Sequence, residues 1–371
     1  MEKVVVGMSG GVDSSVAAYL LKQQGYDVIG VTMQIWQDED ICAIEENGGC
    51  CGLSAVEDAR RVAAVLDLPY YVMNFKNEFK EKVIDYFVDE YLQARTPNPC
   101  IACNRYVKWE SLLKRSMDIG AAYIATGHYA RIIRLPNGRF TLQKSVTAAK
   151  DQTYALYNLT QFQLSHTLMP VGAYAKENIR AMAAGLKLPV ANKPDSQEIC
   201  FVPDNDYAGF IANYLKEREE GAETGRNGFT GFTPGNFINT AGEVIGRHKG
   251  LVHYTVGQRK GLNLSVGQPV FVLELRPETN EVVIGYSDEV FSSRLFANRL
   301  NFMAIEELDG EMEVVAKIRY SHKGAGCRIK KTADDEVICI FEEPQRAITP
   351  GQSVVFYHED YVIGGGTIIK K

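Results

Sequence analysis

Apolar and polar positions change their period along this chain of 371 residues, and the changes divide it into three stretches. As far as about residue 130, short apolar runs alternate with longer stretches whose apolar residues recur at helical spacing. Val4 to Val6, within Lys3–Met8, predict a buried strand. Val16, Ala17, Leu20 and Leu21 line one face of a helix over Asp13–Gln24, which Gly25 can end. Strand Val28–Met33 follows, and then an irregular Gly-, Cys- and acid-rich stretch over Gln37–Gly52. Ser54 and Glu57 have the spacing of a capping box opening a helix to about Leu66. Strand Tyr70–Phe75, a helix around Glu78–Leu92, a loop to Cys103, a helix from Asn104 to Met117 and strand Tyr123–Thr126 complete the series. Such alternation predicts an α/β fold, a parallel sheet with helices on both faces and ligands at the carboxyl ends of its strands. Met33, Gly127 and His128 stand at such ends.

After about residue 206 the texture changes. Residues 221–250 are rich in Gly, Thr and Asn, and short alternating runs replace the helices. Val270–Leu275, Glu281–Ile284, Glu313–Ile318, Val337–Phe341, Ser353–Tyr357 and Tyr361–Ile368 read as strands, with the spacing of a small antiparallel barrel or sandwich. The expected units are 1–205, 206–280 and 281–371. There is no internal repeat.

The chemistry begins in the first turn. Gly7, Met8, Ser9, Gly10, Gly11, Val12, Asp13 and Ser14 join the first strand to the first helix. Free backbone N–H groups and the helix dipole at such a junction attract a phosphate or pyrophosphate. The loop lacks the Gly-Lys-Ser/Thr of a Walker A motif and the spacing of the dinucleotide fingerprint. Ser-Gly-Gly-x-Asp-Ser-Ser instead resembles the loop of the ATP pyrophosphatases, which split ATP into AMP and pyrophosphate while adenylating a second substrate. The simpler reading is a Gly-rich turn.

Composition narrows the setting. No apolar run is long enough to span a bilayer, and MEKVVVG lacks the features of a signal peptide, so a cytoplasmic protein without membrane partners is expected. Its eight cysteines are then reduced thiols. A net charge of −6 excludes a uniformly basic coat but not a local basic patch. Arg247, Lys249, Arg259 and Lys260 form one acid-free basic segment, and Lys317, Arg319, Lys323, Arg328, Lys330 and Lys331 another. Tyr254 and Tyr320 stand beside them, a mixture suited to phosphates and splayed bases, or simply a solvated basic face.

Cys100-x-x-Cys103 follows two stiffening prolines and ends as a helix opens at Asn104, a position that favours a reactive thiolate. A pair of ordinary reduced cysteines is the plain alternative. Four zinc ligands at finger spacing are missing, and no metal site is assigned. Asp195-Ser-Gln-Glu-Ile-Cys200 means little alone. Adjacent Cys50 and Cys51, with Cys42, read as loop thiols, and Cys327 and Cys339 as barrel strand residues. His166, His248, His253 and His358 form no pattern.

Taken together, SGGVDSS (9–15), TPNPCIACN (96–104), ATGHYAR (125–131), KDQTY (150–154), DSQEICF (195–201), YTVGQRKGL (254–262), RYSH (319–322) and TPGQ (349–352) resemble the tRNA-specific 2-thiouridylases of the MnmA type over nearly the whole chain. The resemblance implies an adenine nucleotide alpha hydrolase-like catalytic domain, a small central domain that contacts tRNA and a C-terminal antiparallel β-barrel. It also implies ATP-dependent thiolation of the wobble uridine of tRNA. Residues 7–14 would bind ATP, Asp13 lying near magnesium and phosphates, while Met33 and Gly127 contact the nucleoside. Cys200 would receive persulfide sulfur from an upstream donor, a cysteine desulfurase or sulfur relay protein. Cys103 would attack that persulfide or close a disulfide with Cys200 after transfer. Asn98, Pro99 and Cys100 would approach the target base. His128, Lys150, Asp151, Gln152, Arg319, Tyr320 and Gln352 would contact tRNA.

Some family members carry Asp at the position of Cys100. The cysteine creates a set of three thiols, Cys100, Cys103 and Cys200, and related thiolases hold a [4Fe–4S] cluster on three cysteines. Persulfide and cluster routes both stay open on the sequence. So do two rivals, another ATP pyrophosphatase such as a cytidine thiolase or amide-forming synthetase, and an inactive tRNA-binding protein. No glutaminase-like segment supports the synthetase, and intact SGGVDSS, Cys103 and Cys200 speak against the inactive protein.

Overall fold

The computed structural model describes residues 1–35, 53–195, 199–202, 206–220 and 231–371. Cys42, Cys50 and Cys51 lie outside the described residues, as do Ser196, Gln197 and Glu198. Among the described residues, no helix is long and apolar enough to cross a membrane.

Five strands, β1 (Lys3–Gly7), β2 (Asp27–Gln34), β3 (Tyr70–Asn74), β4 (Tyr123–Ala125) and β7 (Thr167–Leu168), form a parallel sheet in the order β3-β2-β1-β4-β7. Alternation along β1 shows why both faces need helices. Val4 and Val6 enter one core, Val5 enters the other, and all three are fully buried. Burying each such valine contributes roughly 1.5–3 kcal/mol. One face is covered by α1 (Val12–Gln23), α2 (Leu53–Val65) and α6 (Lys176–Gly185). The other is covered by α3, which runs from Lys76–Phe79 through a π-helical Lys80–Ile84 into Asp85–Leu92, and by α4. α4 starts at Pro99–Ala102, continues as a π-helix over Cys103–Leu112 and ends with Leu113–Asp118. Two further helices are α5 (Gln161–Ser165) and α7 (Tyr207–Glu220).

Two helix starts differ from the sequence reading. Leu53 is already helical, so Ser54 lies inside α2 and does not cap it. α4 begins at Pro99, not Asn104, because Asn98 is its N-cap and accepts from the amides of Cys100 and Ile101 at 3.1 and 3.3 Å. Proline is favoured at the first helical position, where its missing N–H costs nothing.

A central four-stranded sheet has the order β10-β11-β8-β9, from β8 (Gly235–Ile238), β9 (Val244–His248), β10 (Phe271–Arg276) and β11 (Glu281–Gly285). The last unit is a closed six-stranded antiparallel barrel of β12 (Phe291–Phe302), β15 (Glu336–Arg346), β14 (Ala325–Ala333), β13 (Glu311–Lys317), β16 (Ser353–His358) and β17 (Tyr361–Ile369), sealed by β12 pairing with β17. Cys327 and Cys339 are buried in its strands, as read from sequence.

The sequence reading did not foresee the hairpin β5 (Ala130–Arg134) and β6 (Phe140–Lys144). It leaves the nucleotide-loop unit and joins the barrel. Lys144 N donates to Asp360 O at 2.7 Å, and Thr141 Oγ1 to Val362 O at 2.5 Å. One core runs without interruption from Val5 and Phe75 of the parallel sheet to Met303, Val355 and Tyr357 of the barrel.

Candidate active site

Strand order reverses between β1 and β4, the place where open α/β sheets leave a crevice for ligands. The loop after β1 and Gly127–His128 after β4 meet there. Gly10 has φ +67°, and a Cβ on it would lie 2.4 Å from Ala55 O. Gly127 packs so closely on the start of α1 that a Cβ would lie 2.5 Å from Ser14 N. The loop is held from within. Ser9 N donates to Ser14 Oγ at 3.2 Å, and Ser15 Oγ to Gly11 O at 2.7 Å. Behind it, Met8 is buried, Met8 N donates to Val31 O, and Thr32 Oγ1 donates to Met8 O. Val12 is also buried. Met33 is the penultimate residue of β2, opposite Met73. Gly7, Gly11 and Ser14 complete a rigid turn around the first amides of α1, the arrangement that takes a phosphate.

Asp13 does not face solvent alone. Tyr129 OH donates to its Oδ1 at 2.8 Å, and the ammonium of Lys176 donates to Oδ1 and Oδ2 at 2.7 and 2.9 Å. Lys176 also meets Asp195 at 2.9 Å, and Asp195 takes Lys150 at 2.8 Å and Arg180 at 3.2 Å. Burial alone would raise the Asp195 carboxyl, but the bonds from Lys150 and Lys176 outweigh it and hold the group at about 2. Tyr129 is pushed upward, first by burial and then by its bond to the Asp13 carboxylate.

The KDQTY segment is built into the fold. Asp151 accepts from Ser145 N and Thr153 Oγ1, and Gln152 Oε1 accepts from Tyr129 N at 2.8 Å. His128 bonds Thr126 Oγ1 at 2.7 Å against the Trp109 ring, and burial together with nearby Lys108 pushes its pKa down. The imidazole is therefore neutral near pH 7.

Cys100 is exposed in the first turn of α4, while Cys103, one turn on, and Cys200 are half-buried against the same core. Phe201 fixes the chain next to Cys200, with its ring 5.1 to 5.8 Å from Phe79, Phe87 and Phe210. Among the described residues, no three His, Cys, Asp or Glu side chains converge to hold a metal ion.

The barrel reaches the same region. Tyr320 leaves part of its ring exposed but packs 6.1 Å from the Tyr154 ring, and this partial desolvation, then the charges of Asp151 and Cys100, raises its hydroxyl. Arg319 donates to Arg346 O and lines a cavity of about 570 Å³ with His322, Lys323 and Gln345. Gln352 turns inward, and its amide donates to Thr96 O at 2.8 Å and Pro97 O at 3.3 Å. Thr96 N donates to Pro350 O, and Thr96 Oγ1 lies 3.5 Å from Thr255 Oγ1 of the central unit, so all three units grip the Thr96–Pro99 loop. Basic residues of the second acid-free segment are partly neutralised, Arg328 and Lys330 by Glu311.

Sequence reasoning missed Tyr129, Lys176 and Arg180. Tyr129 lay inside a quoted motif, but Lys176 is an ordinary lysine opening an amphipathic helix, and nothing local distinguishes it.

Comparison with known proteins agrees with this geometry. The family model described as the tRNA methyl transferase HUP domain matches residues 2–204, a tRNA methyl transferase PRC-barrel domain matches 227–286, and an aminomethyltransferase beta-barrel domain matches 292–368. The chain is 70% identical over 370 residues to the tRNA-specific 2-thiouridylase MnmA of Lachnoclostridium phytofermentans, covering 100% of each. It is 59% identical to MnmA 1 of Thermoanaerobacter pseudethanolicus and 54% to MnmA of Clostridioides difficile, covering 100% of this chain and 98% of each relative. The model descriptions speak of methyl transfer, whereas these full-length relatives are thiouridylases, and identity at this level over every unit decides between the two. With its nucleotide-loop crevice, paired half-buried cysteines and barrel, the chain belongs to the tRNA-specific 2-thiouridylase family.

Proposed function

We propose that this enzyme, a tRNA sulfurtransferase by its family, uses ATP to replace the C2 oxygen of the wobble uridine with sulfur. The observation that carries the reading is the crevice between β1 and β4, where the Ser9–Ser14 turn presents amides beside Lys176. The uridine O2 attacks the α-phosphorus and pyrophosphate leaves, which turns a poor leaving group into AMP. The first amides of α1 and the Lys176 ammonium offset charge on the phosphates. Magnesium commonly binds one or two carboxylates together with substrate phosphates, and Asp13 supplies one such carboxylate.

Cys200 then carries a persulfide whose terminal sulfur attacks C2 and expels AMP. The Cys103 thiolate attacks Sγ of Cys200, 2-thiouridine departs as the thiolate, and a Cys103–Cys200 disulfide remains for a thiol reductant to open. Support comes from the common core behind both cysteines, which a two-thiol route needs. Asn98, Pro99 and Cys100 hold the target base, and Met33 and Gly127 border the nucleoside. His128 and Lys150 at the crevice, and Arg319 and Tyr320 on the barrel, are contacts for tRNA. Asp151, Gln152 and Gln352 shape those contacts from behind, since their side chains bond within the protein. The sulfur comes from a cytoplasmic persulfide donor, a cysteine desulfurase or relay protein.

Incubating the protein with unmodified tRNA, ATP, magnesium, a persulfide donor (a cysteine desulfurase with cysteine) and a thiol reductant tests the reading. Digestion should yield 2-thiouridine with wild type and none with Cys200→Ser. No thiolated nucleoside from wild type overturns it.

A further inference from the structure

Lys176 is 7% exposed, and all three protons of its ammonium are committed, two to Asp13 and one to Asp195. Asp13 belongs to the nucleotide loop. Asp195 opens the segment that carries Cys200 five positions later. Lys150, which begins KDQTY, closes the chain of charges on the other oxygen of Asp195. Five charged side chains from four separate segments thus make one network with two negative and three positive members.

Such a network is a poor way to gain stability. Each desolvated charge costs several kcal/mol, and well-packed apolar residues would serve as well. Its geometry serves placement instead. Downstream of Cys200, Phe201 is locked among Phe79, Phe87 and Phe210. Upstream, the described anchor is Asp195, and its partner Lys176 is shared with the loop that receives the nucleotide. The network carries a surplus positive charge and includes Asp13 of the loop proposed for the nucleotide.

We propose that Asp195 and Lys176 are positioning residues that tie the placement of Cys200 to occupancy of the nucleotide loop. Phosphate oxygens in the loop compete with Asp13 for the Lys176 ammonium. Lys176 then draws less on Asp13 and more on Asp195, so the position of the Cys200 thiol depends on whether ATP is bound. Asp195 touches no reacting atom and acts through Cys200. This inference rests on the sulfurtransferase reading given above.

The test uses the full-length protein and Asp195→Asn, with Lys176→Gln as a second variant. Pyrophosphate released on mixing with tRNA and ATP in the absence of a sulfur donor reports adenylation, and 2-thiouridine formed with a persulfide donor and a thiol reductant reports transfer. Asp195→Asn should adenylate within about threefold of wild type, yet thiolate about a hundredfold more slowly, the scale of a misplaced reacting group. In parallel, the rate at which iodoacetamide alkylates Cys200 should change with ATP in wild type and be insensitive to ATP in both variants. Equal losses of adenylation and thiolation, undiminished thiolation, or an unaltered ATP response in Asp195→Asn would overturn the proposal. If wild type fails to thiolate but its Cys200 alkylation responds to ATP through Lys176, the substrate reading fails and the coupling stands.

Discussion

The side-chain amide of Gln352 donates to the carbonyl of Thr96 at 2.8 Å, so a barrel residue fixes the loop that leads to Cys100. Replacing Gln352 with Ala leaves the Thr96 and Pro97 carbonyls without that donor. The expected loss is about 1 kcal/mol of stability, read as a lower denaturant midpoint at unchanged m. Thiolation kcat should fall more than tRNA affinity, because the loop is misplaced while the basic surface is kept. Unchanged kcat with weaker, salt-sensitive tRNA binding would make Gln352 a direct RNA contact instead.

Gly127→Ala places a methyl group 2.5 Å from Ser14 N and 2.6 Å from Asp13 C, both backbone atoms that cannot swing aside. The strand and α1 must separate. Overpacking of this kind costs about 1–3 kcal/mol. Added ATP should raise the melting temperature of wild type and raise that of the variant much less. Equal ATP-induced shifts would show that the contact does not shape the nucleotide loop.

Asp195 gives a pH signature. Its folded-state value, about 2, lies below the ordinary 3.8, so the carboxylate stabilises the fold fully above the upper value. That contribution is lost as pH falls toward the lower one. In acid titrations followed by circular dichroism, wild type should lose stability between about pH 4 and 2 relative to Asp195→Asn. Parallel titration curves would show that Lys150 and Lys176 do not hold the group down.

The three cysteines separate by role. Cys103→Ser and Cys200→Ser should each abolish turnover, while Cys100→Ser should retain thiolation within about tenfold, since a persulfide route needs two thiols. Protein purified without oxygen and treated with an iron chelator should keep its activity once magnesium is supplied, with iron well below one cluster per chain. Abolition of activity by Cys100→Ser together with loss of bound iron would restore the cluster route.

Much of this was legible in the chain. β1 could be read because three consecutive valines serve two cores, and the loop after it because glycine spacing and Asp-Ser-Ser mark a phosphate turn. The barrel was harder. β12 begins with four exposed residues and was missed, and β14, whose second half is polar and exposed, was read only at Cys327. The start of α4 was obscured by Pro97 and Pro99, which read as loop signals although Pro99 opens the helix. Lys176 and the hairpin β5–β6 were invisible for a common reason. Their partners lie 163 and more than 200 positions away, at Asp13 and Val362, and local pattern carries no trace of such contacts.

That hairpin limits how the protein can be taken apart. A fragment ending near residue 205 keeps β5 and β6 but loses β17, leaving a strand edge that invites association with other chains. The barrel alone, in turn, loses Arg139, whose guanidinium holds the carbonyls of Phe302 and Met303. Duplication, swapping or truncation at the apparent sequence boundaries therefore breaks a shared structure. The catalytic unit and its barrel must be inherited, expressed and degraded together.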